Sequence, residues 1–207
     1  MQDRIELLIF DMDGTLIDSS KVICNSINYV RSKLNLAPLK SENILNVVND
    51  MDTHSPRYFY EADEFTQDHI EWFQDYYTNN HQKEVALYSG IETLLDELKD
   101  RYILSIATNA YRVSALQILN HLNIDKKFDL IVCADDVKNS KPEPDMIEYI
   151  LKYFNLSPSQ ALMIGDSLKD KEAAKRAGVE TILVDWGFSD IGGALKEIKQ
   201  LREILLS

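Results

Sequence analysis

The sequence predicts a three-layer α/β fold, a parallel sheet covered by helices on both faces, interrupted once by a small all-helical domain. Two observations predict the sheet: five short apolar runs are bounded by charged or turn residues, and amphipathic helical patterns stand between them. A third predicts the insertion, because helical patterns follow one another from about Asp18 to Val85 with no strand pattern among them. The expected domains are therefore an α/β core of 1–17 with 86–207 and a helical insert of 18–85.

The five runs are Leu7 to Phe10, Ile103 to Ala107, Leu130 to Cys133, Leu162 to Ile164 and Thr181 to Val184. They alternate weakly at most, as strands buried on both faces do. In the insert, Ile23, Ile27, Val30 and Leu34 mark an amphipathic helix, a second pattern spans Ile44 to Val48, and an aromatic-rich third spans Phe65 to Tyr77. Trp72, Phe73, Tyr76 and Tyr77 read as the insert's core rather than as a stacking platform for a ligand. An insertion of this kind brings its two ends close together. Beyond it, Ser89 and Glu92 suggest a capping box ahead of Leu94, Leu95 and Leu98. Pro144 suits the start of a helix whose apolar face is Ile147, Ile150, Leu151 and Phe154. Ile191, Leu195, Ile198, Leu201 and Leu205 carry helical spacing to the end of the chain.

Composition narrows the function. A formal net charge of −12 over 207 residues repels nucleic acid and anionic membranes, so neither is an expected partner. No apolar stretch is long enough to span a bilayer, and the charged start of the chain is unlike a secretory signal. Cys24 and Cys133 are far apart and form no CxxC unit, which fits two reduced thiols in a cytoplasmic protein. An acidic chain that handles an anion must supply positive charge locally.

Four clusters stand at or just after the carboxyl ends of predicted strands, the edge where open α/β sheets bind ligands. They are Asp11-Met12-Asp13-Gly14-Thr15, Thr108-Asn109, Lys141-Pro142-Glu143-Pro144, and Gly165-Asp166-Ser167 with Asp170 beyond. Each has a plain structural reading: a turn, a strand end, a solvated lysine, a helix cap. Together they place acids, a hydroxyl and a lysine on one edge of one sheet, which chance rarely does.

In order and content these residues resemble the haloacid dehalogenase-like hydrolases, specifically members with a helical cap inserted after the first motif. The resemblance covers nearly the whole chain. Asp11 to Ser19 reads DMDGTLIDS, the lysine motif reads KPEP, the acidic motif reads GDSLKD, and Ala173, Ala174, Ala177 and Gly178 also fit. It implies a three-layer Rossmann-like core with a helical cap, closest to the phosphoglycolate phosphatase branch. The chain departs from that branch at Tyr88-Ser89-Gly90, where a proline often precedes the glycine, and Asn49 to Tyr60 matches no substrate signature.

The resemblance implies that Asp11 is the nucleophile, forming an aspartyl-phosphate, and that Asp13 exchanges protons with the leaving group and then with water. It implies Mg²⁺ held by Asp11, the Asp13 carbonyl and Asp166, with Asp170 orienting it. Lys141 would neutralise the phosphoryl group and Asp11, while the Thr108 hydroxyl and the Asn109 N–H would bind equatorial oxygens. The expected substrate is a small phosphorylated metabolite. Arg57 is a candidate for gripping a second anionic group, with an exposed arginine as the alternative.

Asp135 and Asp136 read as loop or capping residues, and His54, His69, His81 and His121 show no metal-ligand spacing. A halide needs no proton to leave, so Asp13 argues against a dehalogenase. A phosphonate-cleaving enzyme would need an amine nucleophile among Lys21, Lys33, Lys40 and Lys83, which read as solvated. A sugar phosphomutase resembling β-phosphoglucomutase, or a pyrophosphatase, would use the same core with a different cap. A non-catalytic module that binds a phosphorylated ligand is the alternative of another class, disfavoured because Asp11, Asp13 and Lys141 are all present.

Overall fold

A strand made only of Leu7, Leu8, Ile9 and Phe10 must hide both its faces and both its edges, and it does. This strand, β1 (Leu7–Phe10), lies mid-sheet in the computed structural model, which describes residues 4–50, 52–187 and 192–207. On one edge β1 pairs in parallel with β4 (Ile103–Ala107), and on the other with β6 (Ala161–Gly165). β5 (Leu130–Val132) extends the sheet beyond β4, and β7 (Glu180–Leu183) beyond β6. Among the described residues the order is β5-β4-β1-β6-β7, all parallel. The chain thus fills one side of β1, then crosses to fill the other. The carboxyl end of β1 is the switch point where such a sheet opens a crevice.

Helices α7 (Asp145–Phe154) and α8 (Leu168–Ala177) cover one face, with Met146, Ile147, Ile150, Ala173 and Ala174 packed with Leu7, Ile9 and Met163. Leu8 and Phe10 point the opposite way and are equally buried, so the second face is closed too. Helices α5 (Ile91–Leu98) and α9 (Ile198–Leu206) pack together and bury Leu94, Leu95, Leu98 and Leu201. Helix α6 (Arg112–His121) follows β4. Two two-residue strands, β2 (Ile17–Asp18) and β3 (Ala86–Leu87), form a separate sheet.

The chain divides into two compact units, Met1–Asp18 with Leu87–Ser207 and Ser19–Ala86. The second is all helical: α1 (Ser20–Lys33), α2 (Ser41–Asn49), α3 (Ser55–Tyr60) and α4 (Gln67–Glu84). Ile27, Val30, Ile44, Phe59 and Tyr60 form its core, with Trp72 and Phe73 packed against it. Tyr77 is buried there, whereas Tyr76 lies tilted against the Tyr29 ring. Arg31 is buried and donates to the carbonyls of Ala37 and Phe59. Among the described residues no helix is long and apolar enough to cross a membrane.

Two local expectations are corrected. Gly90, at φ +94°, is the N-cap of α5 and no side chain caps it, so Ser89 and Glu92 do not form their box. The last helix begins at Ile198, because Leu195 is bonded as an extended residue to Leu183 and Asp185. Gly192 and Gly193 just before it disfavour helix, and Ile191 lies outside the described residues. Helix α3 is not announced by any pattern in the sequence: Ser55-Pro56 opens it, and six residues are too few to display a periodicity.

Candidate active site

Strand register assembles the site. Phe10 lies opposite Ile106 on one side and Ile164 on the other, so the residues that follow each strand emerge side by side. Asp11 N–H donates to the Ile164 carbonyl at 2.8 Å, and Thr108 N–H donates to Val132 at 3.0 Å. Beyond Asp11 the chain turns at Gly14, whose φ of +79° is the left-handed region that a side chain disfavours. Leu16 N–H closes the turn on the Met12 carbonyl at 2.9 Å. The Trp186 indole N–H donates to the Thr15 carbonyl at 3.0 Å and ties the end of β7 to this loop.

Four charged side chains are buried here, with relative exposures of 6% for Asp11, 2% for Asp166, 1% for Asp170 and 4% for Lys141. Burying charge is costly unless it is paired. The Lys141 ammonium donates to Asp11 Oδ1 at 2.5 Å, to Asp170 Oδ1 at 2.6 Å and to the Ala107 carbonyl at 2.7 Å. One ammonium cannot balance the acids: Asp11, Asp166 and Asp170 each bring an oxygen within 4.8 Å of the others. At that spacing and an effective dielectric near 20, a pair of carboxylates repels by about 3–4 kcal/mol.

The strain registers in the acidities. Burial, reinforced by Asp170 and Asp13 and opposed by Lys141, pushes the Asp11 carboxyl up to about 7. Burial and the Asp11 and Asp170 charges hold Asp166 well above the usual carboxylate range. For Lys141 burial favours the neutral amine, but Asp11 and Asp170 outweigh it and hold the ammonium above its ordinary value. A buried, oxygen-only donor set with excess negative charge fits a hard divalent cation.

Asp170 is fixed twice over. Ser167 N–H and Oγ both donate to its Oδ2, at 3.0 and 2.5 Å, while Ser167 Oγ accepts from Asp170 N–H at 3.4 Å. This is a capping box at the start of α8, so the structural and the functional readings of GDSLKD hold together. Gly165 leaves the room: a Cβ there would lie 2.5 Å from the Asp170 Cβ and Cγ.

Asp11, Asp166, Asp170 and Lys141 therefore converge. Asp13 contributes no carboxylate oxygen to the three-acid cluster, though it adds to the field at Asp11. Thr108 is buried, with its Oγ1 accepting from the Ala110 N–H at 3.1 Å. Asn109 reaches Lys141 through its side chain, bonding the lysine's carbonyl at 2.9 Å and N–H at 3.1 Å, a contact that the expected role of its backbone N–H does not include. No motif singles out Tyr88 as a site residue. Its phenol is held above the ordinary range by burial and by the charges of Asp18, Asp166, Asp13 and Asp185.

Other candidates have local roles. Asp136 closes a capping box on Cys133 and pairs with Arg112, whose N–H donates to Asp135 at 2.8 Å. His69 caps α4 with Thr66, and His81 is buried in the same helix. Arg57 lies in α3, exposed and paired with Asp63 at 3.3 Å. Lys21, Lys33, Lys40 and Lys83 are exposed, and both cysteines are buried.

Known proteins resemble this chain along most of its length. The haloacid dehalogenase-like hydrolase family matches residues 8–184. A phosphoglycolate phosphatase of Aquifex aeolicus (strain VF5) is 30% identical over 197 residues, covering 93% of this chain and 91% of that one. The pyrophosphatase PpaX of Bacillus velezensis is 32% identical over 186 residues, covering 88% and 84%. A crystal structure described as a predicted phosphatase from Clostridium acetobutylicum superposes with a TM-score of 0.86 at 29% identity, covering 99% of both chains. With its motifs gathered at the switch point of a parallel sheet, the chain belongs to the haloacid dehalogenase-like hydrolases and is a phosphatase of that family.

Proposed function

We propose that this phosphatase hydrolyses a small phosphate monoester in two displacements, through a phosphoryl group carried on Asp11. The observation that carries the reading is the Lys141 ammonium, 2.5 Å from Asp11 and 2.6 Å from Asp170 inside a buried set of acids. It leaves one carboxylate at the switch point poised beside a fixed positive charge. In the first displacement an Asp11 oxygen attacks phosphorus, and the bond from phosphorus to the ester oxygen breaks. Asp13 gives its proton to the departing alkoxide. In the second, Asp13 takes a proton from water, the water oxygen attacks phosphorus, and the bond to Asp11 breaks to free the carboxylate and phosphate. Lys141, the Thr108 hydroxyl and the Asn109 N–H stabilise the charge on the phosphoryl oxygens.

Asp11, the main-chain carbonyl of Asp13 and Asp166 would hold Mg²⁺, with Asp170 orienting it. Bound there, the ion would offset the repulsion between these acids and an anionic substrate. Among substrates, 2-phosphoglycolate is the first proposal, and pyrophosphate the second because of the likeness to the Bacillus velezensis enzyme.

Phosphate release from p-nitrophenyl phosphate, 2-phosphoglycolate, pyrophosphate and hexose phosphates, with and without Mg²⁺, tests both parts. Release that depends on Mg²⁺, with one metabolite preferred in kcat/KM, is the expected outcome. Negligible release together with interconversion of hexose phosphates, given a bisphosphate primer, would replace the reading with a mutase. Binding without any turnover would replace it with a non-catalytic module.

A further inference from the structure

Lys141 lies in the segment between β5 and α7, where no sheet ladder is available to its main chain, and the following Pro142 has no N–H. Its backbone groups still need partners. One side chain provides both. Asn109 Nδ2 donates to the Lys141 carbonyl at 2.9 Å, and the Lys141 N–H donates to Asn109 Oδ1 at 3.1 Å. The two bonds run in opposite senses, so they fix the amide's orientation, since a flipped amide would oppose donor to donor and acceptor to acceptor.

The other end of the lysine returns to the same place. Its ammonium donates to the Ala107 carbonyl at 2.7 Å, on the last residue of β4 and two positions before Asn109. The side chain is therefore tied at both ends to the carboxyl end of one strand, with its charge set across Asp11 and Asp170. A lysine stem has more rotamer freedom than almost any other side chain, and fixing its root removes part of that freedom in advance.

We propose that Asn109 is a positioning residue for Lys141: its carboxamide fastens the lysine's main chain to the end of β4, so that the ammonium stands between Asp11 and Asp170 before substrate arrives. The proposal rests on Lys141 as the charge-neutralising group. It gives the Asn109 side chain a role distinct from that proposed for its backbone N–H, which truncation leaves in place.

The test compares Asn109→Ala, Lys141→Ala and the double variant, using p-nitrophenyl phosphate turnover with Mg²⁺, orthovanadate affinity by calorimetry, and thermal melting. Asn109→Ala should lower kcat by about tenfold or more, with KM changed far less and melting shifted only slightly. A defect of folding alone would lower the active fraction and the melting temperature together, and would spare vanadate affinity per active molecule. In the Lys141→Ala background the same truncation should weaken vanadate binding no further, because a residue acting through Lys141 has nothing left to position. Should the alanine variant fail to fold, Asn109→Ser, too short to reach both groups, is expected to show the same split. Wild-type kcat in Asn109→Ala, or a full additional loss of vanadate affinity in the double variant, overturns the proposal. Wild-type turnover in Lys141→Ala would instead overturn the reading of Lys141 itself.

Discussion

Asp11 and Asp13 are two residues apart in one turn, yet the proposed chemistry asks different things of them. An amide is a very poor nucleophile, so Asp11→Asn should yield no phosphoenzyme with any substrate. Proton transfer is worth about 10²–10⁴-fold, and its weight depends on the leaving group. Asp13→Asn should cripple attack on alkyl phosphates while p-nitrophenyl phosphate, whose phenolate leaves unaided, still phosphorylates Asp11. Rapid-quench labelling should then show a burst of bound phosphate followed by slow turnover. Unimpaired steady-state turnover after the burst would remove Asp13 as the base. Gly165 offers a second test at this scale. A methyl group there would meet Asp170 at 2.5 Å, so Asp170 must move, and Lys141 with it. Gly165→Ala should cost about 1–3 kcal/mol of stability from overpacking. Displacement of the charged pair should reduce kcat/KM on the order of 10²-fold. Wild-type kinetics in that variant would mean that Asp170 has slack which its two bonds to Ser167 do not suggest.

At the scale of elements, one hydroxyl links helix formation to the chemistry. Ser167 starts α8 and also restrains Asp170, which in turn receives the Lys141 ammonium. Losing a serine cap typically costs about 1 kcal/mol. Ser167→Ala should cost that much in denaturant melts and in addition lower kcat, whereas Ser167→Thr, which retains the cap oxygen, should restore both. A stability loss with unchanged kcat would confine Ser167 to capping. The same element shows why local patterns predicted some features and missed others. Ser167 and Asp170 satisfy the capping signature and the motif at once, so either reading led to the same residues. Ser89 and Glu92 satisfy the signature too, but Gly90 adopts φ +94° and takes the cap position itself. A cap depends on backbone angles that composition does not encode. Leu195 has helical spacing with Ile198, yet its backbone is drawn into extended pairing with Leu183 and Asp185.

For the molecule as a whole, the buried cluster of Asp11, Asp166 and Asp170 could hold a divalent cation, and an ion bound there would act on folding as well as on the proposed chemistry. A ligand that binds only the folded state at 100 times its Kd adds about 2.7 kcal/mol. Saturating Mg²⁺ should therefore raise the melting temperature by several degrees, and Asp166→Asn, which removes one of the acids, should abolish most of that rise. Full phosphatase turnover in excess EDTA, or melting indifferent to Mg²⁺, would show that the acids are stabilised without a metal. Calcium should bind and inhibit, because its larger and looser shell disturbs in-line geometry. Much of this protein is legible in the chain alone. The apolar runs that become β1, β4 and β6, and the acids, hydroxyl and lysine that follow the strands, are local patterns; a strand buried on both faces and a turn after it each need particular residue types in a row. Tertiary structure decided what those residues do to one another. Parallel pairing brought Phe10, Ile106 and Ile164 side by side from distant positions in the chain, and burial turned ordinary carboxyls into ones displaced from their usual acidity. The Asn109 clamp on Lys141 and the field of acids around Tyr88 have no local signature, since hydrogen bonds and Coulomb forces act through space and a sequence orders residues only along the chain.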